Sequence, residues 1–172
     1  MQSPQETEVG NDYNMVALWL RVDPKRWIAG ALAGLFAGIV MLAFSTIIAT
    51  LYGAEPWFAI KIAALPILGN SATAFGINSG LFVGFIVHEI LAAILGAVYA
   101  HFTGTNYLPA LLGAGVVVAL FSWIFIFNLF IQSFKPIYAA HLSPAASLPV
   151  FLVFGLSLTS VAFFDRMISG RR

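Results

Sequence analysis

The residues of this chain that are best placed to do chemistry are His88 and Glu89, which are adjacent within a long apolar run. Ionisable side chains at the centre of a membrane span are rare, cost roughly 2.5–3.5 kcal/mol to insert when charged, and are candidates for function. Three functions are open to the pair: ligation of a haem or chlorophyll by His88, proton handling, or a hydrogen bond between subunits. Neighbouring helical positions point about 100° apart, so the two side chains are not expected to grip one ligand together.

A structural role is the alternative for the same two residues. Neutral His88 and protonated Glu89 would then form hydrogen bonds with polar side chains of neighbouring spans. Asn128, a lone polar residue in the third apolar run, completes the candidate intramembrane polar site, although such a residue more often joins helices than binds substrate. The candidate partners for His88 and Glu89 are Ser45, Thr46, Ser122 and Asn128.

The remaining residue types give little support to a catalytic or cofactor site. The chain has no cysteine, and its histidines are His88, His101 and His141. A haem held by two histidines needs them at matching depth on facing helices, and neither His101 nor His141 matches His88. No metal-ligand spacing, nucleophile triad or phosphate-binding glycine loop is evident. We therefore predict no enzyme, no metal and no cofactor, with a tetrapyrrole on His88 as a minor alternative.

The elements that position these residues are membrane spans. The 172 residues are 60% hydrophobic and 9% charged, against roughly 25% charged in soluble domains. Runs of about 20 apolar residues are long enough to cross a bilayer as helices. The sequence therefore predicts an all-α, integral membrane four-helix bundle within residues 27–168. The predicted spans are residues 27–51, 79–101, 109–131 and 147–168.

The connection between the first two spans carries an additional short helix. Residues 56–70 begin at Pro56, are apolar, and are interrupted by Lys61 and Pro66. A segment of this length is typically interfacial or re-entrant rather than spanning. We favour an interfacial helix from which Lys61 extends outward to water.

The distribution of basic residues predicts the orientation. Residues 1–26 form a polar N-terminal tail with a short amphipathic patch, and residues 169–172 form a basic C-terminal tail. Six lysines and arginines flank the two termini, whereas Lys61 and Lys135 are the basic residues of the loops on the opposite side. The positive-inside rule then places both termini in the cytoplasm.

Small residues recur at four-residue spacing and predict close helix contacts. In lipid, such residues let two backbones approach and gain van der Waals contact. We expect most of these contacts inside the bundle, with the alternative that one stripe faces another subunit or a flat cofactor ring. The tight turn after the second span also predicts that spans two and three are antiparallel neighbours. The candidate packing residues are Gly30, Gly34, Gly38, Gly80, Gly84 and Gly96.

Three segments carry a resemblance to known sequences: GALAGLFAGIVMLAF, EPWFAIKIAALPILG and VHEILAAILGAVYA. Together they resemble an uncharacterised family of small, four-span bacterial inner-membrane proteins, with a glycine-rich first span, a Pro56-Trp57 loop and a histidine at position 88. The resemblance covers mainly spans one and two. It implies a multi-pass fold in the bacterial inner membrane but no activity, and Glu89 departs from it because an apolar residue usually follows the histidine.

These observations favour a non-catalytic accessory subunit of a larger integral membrane complex, one of respiratory or photosynthetic electron transport. The reasons are too few polar residues for a transport path, several glycine stripes and an aromatic-rich third span. The expected partners are other integral membrane subunits and lipid; a net charge of +1 gives no reason to expect nucleic acid. The alternatives are a small ligand-binding or proton-coupled transport protein that uses His88 and Glu89, or a tetrapyrrole-binding redox subunit.

Overall fold

The computed structural model of the protein describes residues 22–126 and 144–170 and is helical through most of those ranges. Four of its helical segments are long and apolar enough to cross a membrane, as expected of a multi-pass membrane protein. Several sequence predictions lie outside the described residues: residues 1–21 of the N-terminal tail with its amphipathic patch, Asn128, Lys135, His141 and the last two residues of the basic tail. The helices are α1 (Pro24–Leu51), α2 (Phe58–Ile62), α3 (Leu65–Leu68), α4 (Ser79–Thr103), α5 (Leu108–Phe125), α6 (Pro144–Ser157) and α7 (Val161–Ser169), with 3-10 helices at Gly69–Thr73 and Leu158–Ser160.

The ends of the long helices follow local capping chemistry. Asp23 caps α1, since its side chain accepts a hydrogen bond from the Arg26 amide at 3.2 Å, and Pro24 occupies the first turn, where its missing N–H costs nothing. The helix therefore begins three residues before the predicted start at residue 27. Gly104 ends α4 in the left-handed conformation, with φ +54°, which glycine adopts without a steric penalty.

The fourth span, Ala145–Ser169, combines α6 and α7 with a 3-10 turn between them. The third is described as a helix only to Phe125, so the predicted stretch from 127 to 131 lies outside the described residues.

The core lies along α1, which packs against α4, α6 and α7. Three of its alanines, Ala29, Ala33 and Ala37, are fully buried in the main apolar cluster. The second pairing joins α5 to α6. The described parts of α4 and α5 contact each other, as expected of neighbouring spans, but far less than either contacts its main partner. The reason is that the small-residue face of α4 fits that of α1, and the small-residue face of α5 fits that of α6.

The segment between α1 and α4 forms three short helical turns that pack on α4. Ala64, Leu65 and Ala72 form a buried apolar cluster within it, and Val83 of α4 and Ile126 pack against this cluster. Three residues of the segment, Phe58, Ala59 and Ile62, line a cavity that His88 of α4 also lines.

Candidate functional site

The glycines of α1 allow α4, the helix that carries the candidate site, to pack closely against α1. A Cβ added at Gly30 or Gly34 would overlap backbone atoms of α4 at Gly96 and Ala92, respectively. Gly96 in turn faces the backbone of Gly30 and Gly34. The two helices therefore touch backbone to backbone, and this close approach brings His88 and Glu89 against α1.

Gly80 and Gly84, which were also predicted as packing residues, face the short helices rather than a spanning helix. A Cβ at Gly80 would overlap the carbonyl of Ala72, and one at Gly84 would overlap the carbonyl of Ile60. Gly155, which was not among the predicted packing residues, meets Gly115 backbone to backbone. This contact joins α6 to α5. The small residues of the two spans were the sequence signal that could have predicted it.

The Glu89 carboxyl lies in the contact between α4 and α1, opposite Gly38. The residue is 8% exposed, and a Cβ built on Gly38 would lie 2.9 Å from its Oε1 atom. Neither carboxyl oxygen has a hydrogen-bond partner among the residues that the structure describes. The expectation that Glu89 bonds to a polar side chain of a neighbouring span is therefore not met by Ser45, Thr46 or Ser122, and Asn128 lies outside the described residues.

His88 also reaches Gly38, but through a hydrogen bond. Its Nε2 atom lies 3.3 Å from the Gly38 carbonyl oxygen. Because a carbonyl can only accept, Nε2 carries the proton, and neutral His88 then has Nδ1 as its acceptor. The partner of His88 is thus a backbone group exposed by a glycine, not one of the predicted serine or threonine side chains.

The His88 ring lines a partly open cavity of about 170 Å³ between α1, α2, α4 and α6. Most of its wall is apolar, and one face of α1 supplies a large part of it. Ser45 and Ser147 are the other buried polar residues of the wall. Glu89 is not part of the wall. The lining residues are Met41, Leu42, Ser45, Ile48, Ala49, Tyr52, Ala54, Phe58, Ala59, Ile62, His88, Ile126, Ala146, Ser147, Val150 and Phe151.

The two serines of the wall are already engaged in hydrogen bonds. The Ser45 hydroxyl donates to the Leu42 carbonyl of its own helix at 2.8 Å. The Trp123 indole N–H of α5 donates to Ser147 Oγ of α6 at 3.1 Å. Trp123 thereby finds the hydrogen-bond partner that a buried indole requires, and it ties two spans together beside the cavity.

A first buried ionic cluster fastens one end of the molecule, centred on Arg26. Arg26 is 8% exposed and donates to the Thr105 carbonyl and to Asn106 Oδ1, each at 2.5 Å. It also donates to the Ala100 carbonyl at 3.3 Å and lies 3.3 Å from the Asp165 carboxylate. One guanidinium thus joins the start of α1, the turn between α4 and α5, and α7, so the described ends of the chain share one end of the molecule.

A second ionic cluster, centred on Lys61, fastens the segment of short helices. Lys61 is 0% exposed, and its Nζ lies 2.7 Å from Glu55 Oε1. The same ammonium donates to the carbonyls of Ala74 and Gly76 at 2.7 and 2.5 Å. Its expected extension to water is therefore wrong. Three acceptors provided by the fold outweigh the gain from hydration, since a buried ammonium requires a full set of partners.

Comparison of the chain with protein-family models, with curated proteins and with solved structures found no match. The resemblance on the first two spans therefore stays a prediction, and the function is argued from geometry alone. Among the described residues, no group of three or more histidine, cysteine or carboxylate side chains could hold a metal ion.

The cavity beside His88 is too small to enclose a tetrapyrrole. A ligand on the histidine ring would need Nε2, which donates to Gly38, or Nδ1 within the cavity. A tetrapyrrole has four linked five-membered rings, whereas the engineered protein cavity that binds benzene measures about 150 Å³. At about 170 Å³, the cavity beside His88 has room for one ring.

Proposed function

We propose that the chain is a non-catalytic accessory subunit embedded in a larger integral membrane complex of electron transport. The observation that carries this proposal is how its charged residues are used. Arg26 and Lys61 are buried and fully occupied in holding the chain's own helices together at opposite ends. Between these ends, the histidine and carboxyl side chains of the described helices are those of His88 and Glu89, and both are turned onto α1.

A rigid scaffold with an apolar exterior is what an accessory subunit requires. Phe121 and Phe125 of α5 are 67% and 47% exposed, and their rings are stacked with centroids 6.4 Å apart. Aromatic pairs add about 0.5–1.5 kcal/mol to the burial of their area when a partner covers them. This surface, on the aromatic-rich third span, supports contact with a further membrane subunit.

The test is purification in mild detergent from the native membrane, followed by native mass spectrometry of the intact assembly. We expect a fixed stoichiometry with larger subunits and a reduced-minus-oxidised absorption spectrum of their redox groups. Replacing Phe121 and Phe125 with alanine should release the chain from the assembly, whereas the matched change of Phe82 and Phe85 on α4 should not. A chain that purifies alone under every mild condition would contradict the proposal.

The Glu89 carboxyl favours a second candidate function, proton-coupled transport. A buried carboxyl without a described hydrogen-bond partner lowers the stability of the fold, and intramembrane carboxyls often carry protons. In sealed vesicles, Glu89→Gln should then abolish a pH-dependent flux and leave the level of folded protein unchanged. If the chain has only a structural role, wild type and Glu89→Gln vesicles should show the same passive leak.

A further inference from the structure

We infer that the cavity beside His88 is a binding site for a single aromatic ring that carries a hydroxyl group, such as a phenol or the head of a hydroquinone. The inference concerns a site within this chain and does not depend on the complex in which the chain resides. It rests on three properties of the cavity: its volume, its wall and the hydrogen-bonding capacity that the described residues leave unused.

The volume and the wall select an apolar ligand of one ring. A protein cavity of about 150 Å³ with an aliphatic and aromatic lining binds benzene, and the present cavity of about 170 Å³ is slightly larger. Its side chains include Met41, Leu42 and Phe58 on one side and Val150 and Phe151 on the other. A charged or multiply polar ligand would lose its hydration here without replacement.

The hydrogen-bonding capacity selects a donor on that ring. The Nε2–H group of His88 donates to the Gly38 carbonyl, so the ring nitrogen left for a cavity ligand is Nδ1, an acceptor. The Ser45 hydroxyl is committed as a donor to the Leu42 carbonyl, so its remaining capacity is also to accept. Tyr52 lies at the rim and is 72% exposed. At His88 and Ser45, the inner polar wall therefore complements a ligand O–H rather than a ligand carbonyl, whereas Ser147 already accepts from Trp123.

The cavity lies towards the end of α1 that is far from the Arg26 cluster. Its α1 wall is the half of the helix that leads to Leu51, and residues of α2 also line it. A small phenol dissolved in the membrane and the ring of a tailed hydroquinone share the same recognition chemistry. The two sources differ in whether a tail must lead out between the helices.

The test uses the purified full chain in detergent and two fluorinated probes, 4-fluorophenol and fluorobenzene, followed by 19F NMR. Empty micelles of the same concentration measure the partitioning of each probe into detergent. We expect 4-fluorophenol to bind wild type about five-fold more tightly than fluorobenzene, which is the value of one neutral hydrogen bond of about 1 kcal/mol. In His88→Leu, we expect this preference to fall to about one-fold while fluorobenzene still binds.

Two further variants test the cavity and the acceptor separately. Ala49→Phe fills the cavity and should abolish binding of both probes. Ser45→Ala should retain the preference for phenol, because the acceptor is His88. Equal preference in wild type and His88→Leu, loss of the preference in Ser45→Ala instead, or binding that survives Ala49→Phe would each overturn the assignment, as would a wild type that binds neither probe. If decylhydroquinone displaces 4-fluorophenol, the site accepts the ring of a tailed hydroquinone. If it does not, the site takes only a small phenol without a tail.

Discussion

Replacement of Gly34 by alanine tests the backbone contact that positions the whole site. A Cβ at this position would overlap the Ala92 carbonyl oxygen and would lie 2.8 Å from its carbonyl carbon. Carbon atoms in favourable contact are about 3.5–4.0 Å apart, so α1 and α4 must separate by roughly 1 Å. A radial gap of about 0.5–1 Å already forfeits a quarter to a half of the contact energy between facing atoms.

The magnitude follows from two opposing terms. Overpacking in a tight contact costs about 1–3 kcal/mol, and a clash with backbone has no flexible side chain to relieve it. Alanine recovers up to about 1 kcal/mol over glycine through helix propensity. With the clash taken at the upper end of its range, about 3 kcal/mol, and the propensity gain subtracted, we expect a net loss of about 2 kcal/mol for Gly34→Ala. For Gly34→Leu we expect loss of assembly or of stable accumulation, although insertion itself survives because leucine is favourable in lipid.

Gly113 of α5 provides the matched control. It also lies within a spanning helix, but no atom lies within 4 Å of a Cβ built there among the described residues. Gly113→Ala should therefore gain the propensity term of about 1 kcal/mol without the clash, so the two alanine variants should differ by the clash term alone, about 3 kcal/mol.

The assay is unfolding by SDS titration in mixed micelles, with Trp27 as the reporter. The Trp27 indole N–H donates to His101 Nδ1 of α4 at 3.1 Å, so its fluorescence responds when α1 and α4 part. A Trp27→Phe background measures the contribution of the other tryptophans. Equal stability of Gly34→Ala and Gly113→Ala would refute the backbone contact, and with it the placement of His88 and Glu89 against α1.

Three further outcomes are expected. Reporter fusions at Gly104 should read cytoplasmic and fusions at Asn70 external, whereas a cytoplasmic signal at Asn70 would contradict the orientation given by the positive-inside rule. Glu89→Met should raise the unfolding free energy in SDS by about 1–3 kcal/mol, since it removes a buried carboxyl with no described partner; a loss of stability would mean that the carboxyl has one. Glu55→Gln should cost about 3–5 kcal/mol because it leaves the Lys61 ammonium buried without its counter-charge, and the double change with Lys61→Met should recover part of that loss in a double-mutant cycle.

The apolar spans and the close-contact glycines illustrate what the sequence could predict. Apolar runs of bilayer length have few alternatives to a spanning helix, because backbone groups in lipid must pair within the segment. The spacing of Gly30, Gly34 and Gly38 likewise predicts one small-residue face on α1. The pairing of faces was not predictable, since Gly84 and Gly96 look alike in the sequence but meet a short helix and α1, respectively.

The ionic clusters show why the roles of single charges could not be read from the chain. Arg26 directly precedes Trp27 and Lys61 follows Phe58 by three residues, and such a pattern is typical of charges that reach water. In the fold, the turn after α4 and the bend before α4 each expose carbonyl oxygens that no helix satisfies. Tertiary structure brings these acceptors to the two cations: the Thr105 carbonyl is 79 residues from Arg26 in the sequence, and the Gly76 carbonyl is 15 residues from Lys61.

Ser45, one of the residues expected to be a partner of His88 and Glu89, does not serve as one for a local reason. Serine and threonine hydroxyls in a helix can bond to a carbonyl of the preceding turn, as Ser45 does with Leu42 and Thr50 with Thr46. A hydroxyl used in this way has no proton left for a neighbouring helix. Glycine supplies the partner instead, since the missing side chain of Gly38 exposes its carbonyl to His88.

Gly38 also explains how two adjacent residues serve two separate environments. The side chains of His88 and Glu89 leave α4 in different directions, yet both reach the same residue of α1 because its backbone is bare. Beyond that contact they diverge: the imidazole lines the cavity, whereas the carboxyl stays within the helix contact. Ligand binding and proton handling can therefore be separated by single substitutions. His88→Leu should remove the phenol preference and leave the carboxyl enclosed, and Glu89→Gln should leave the probe affinities unchanged.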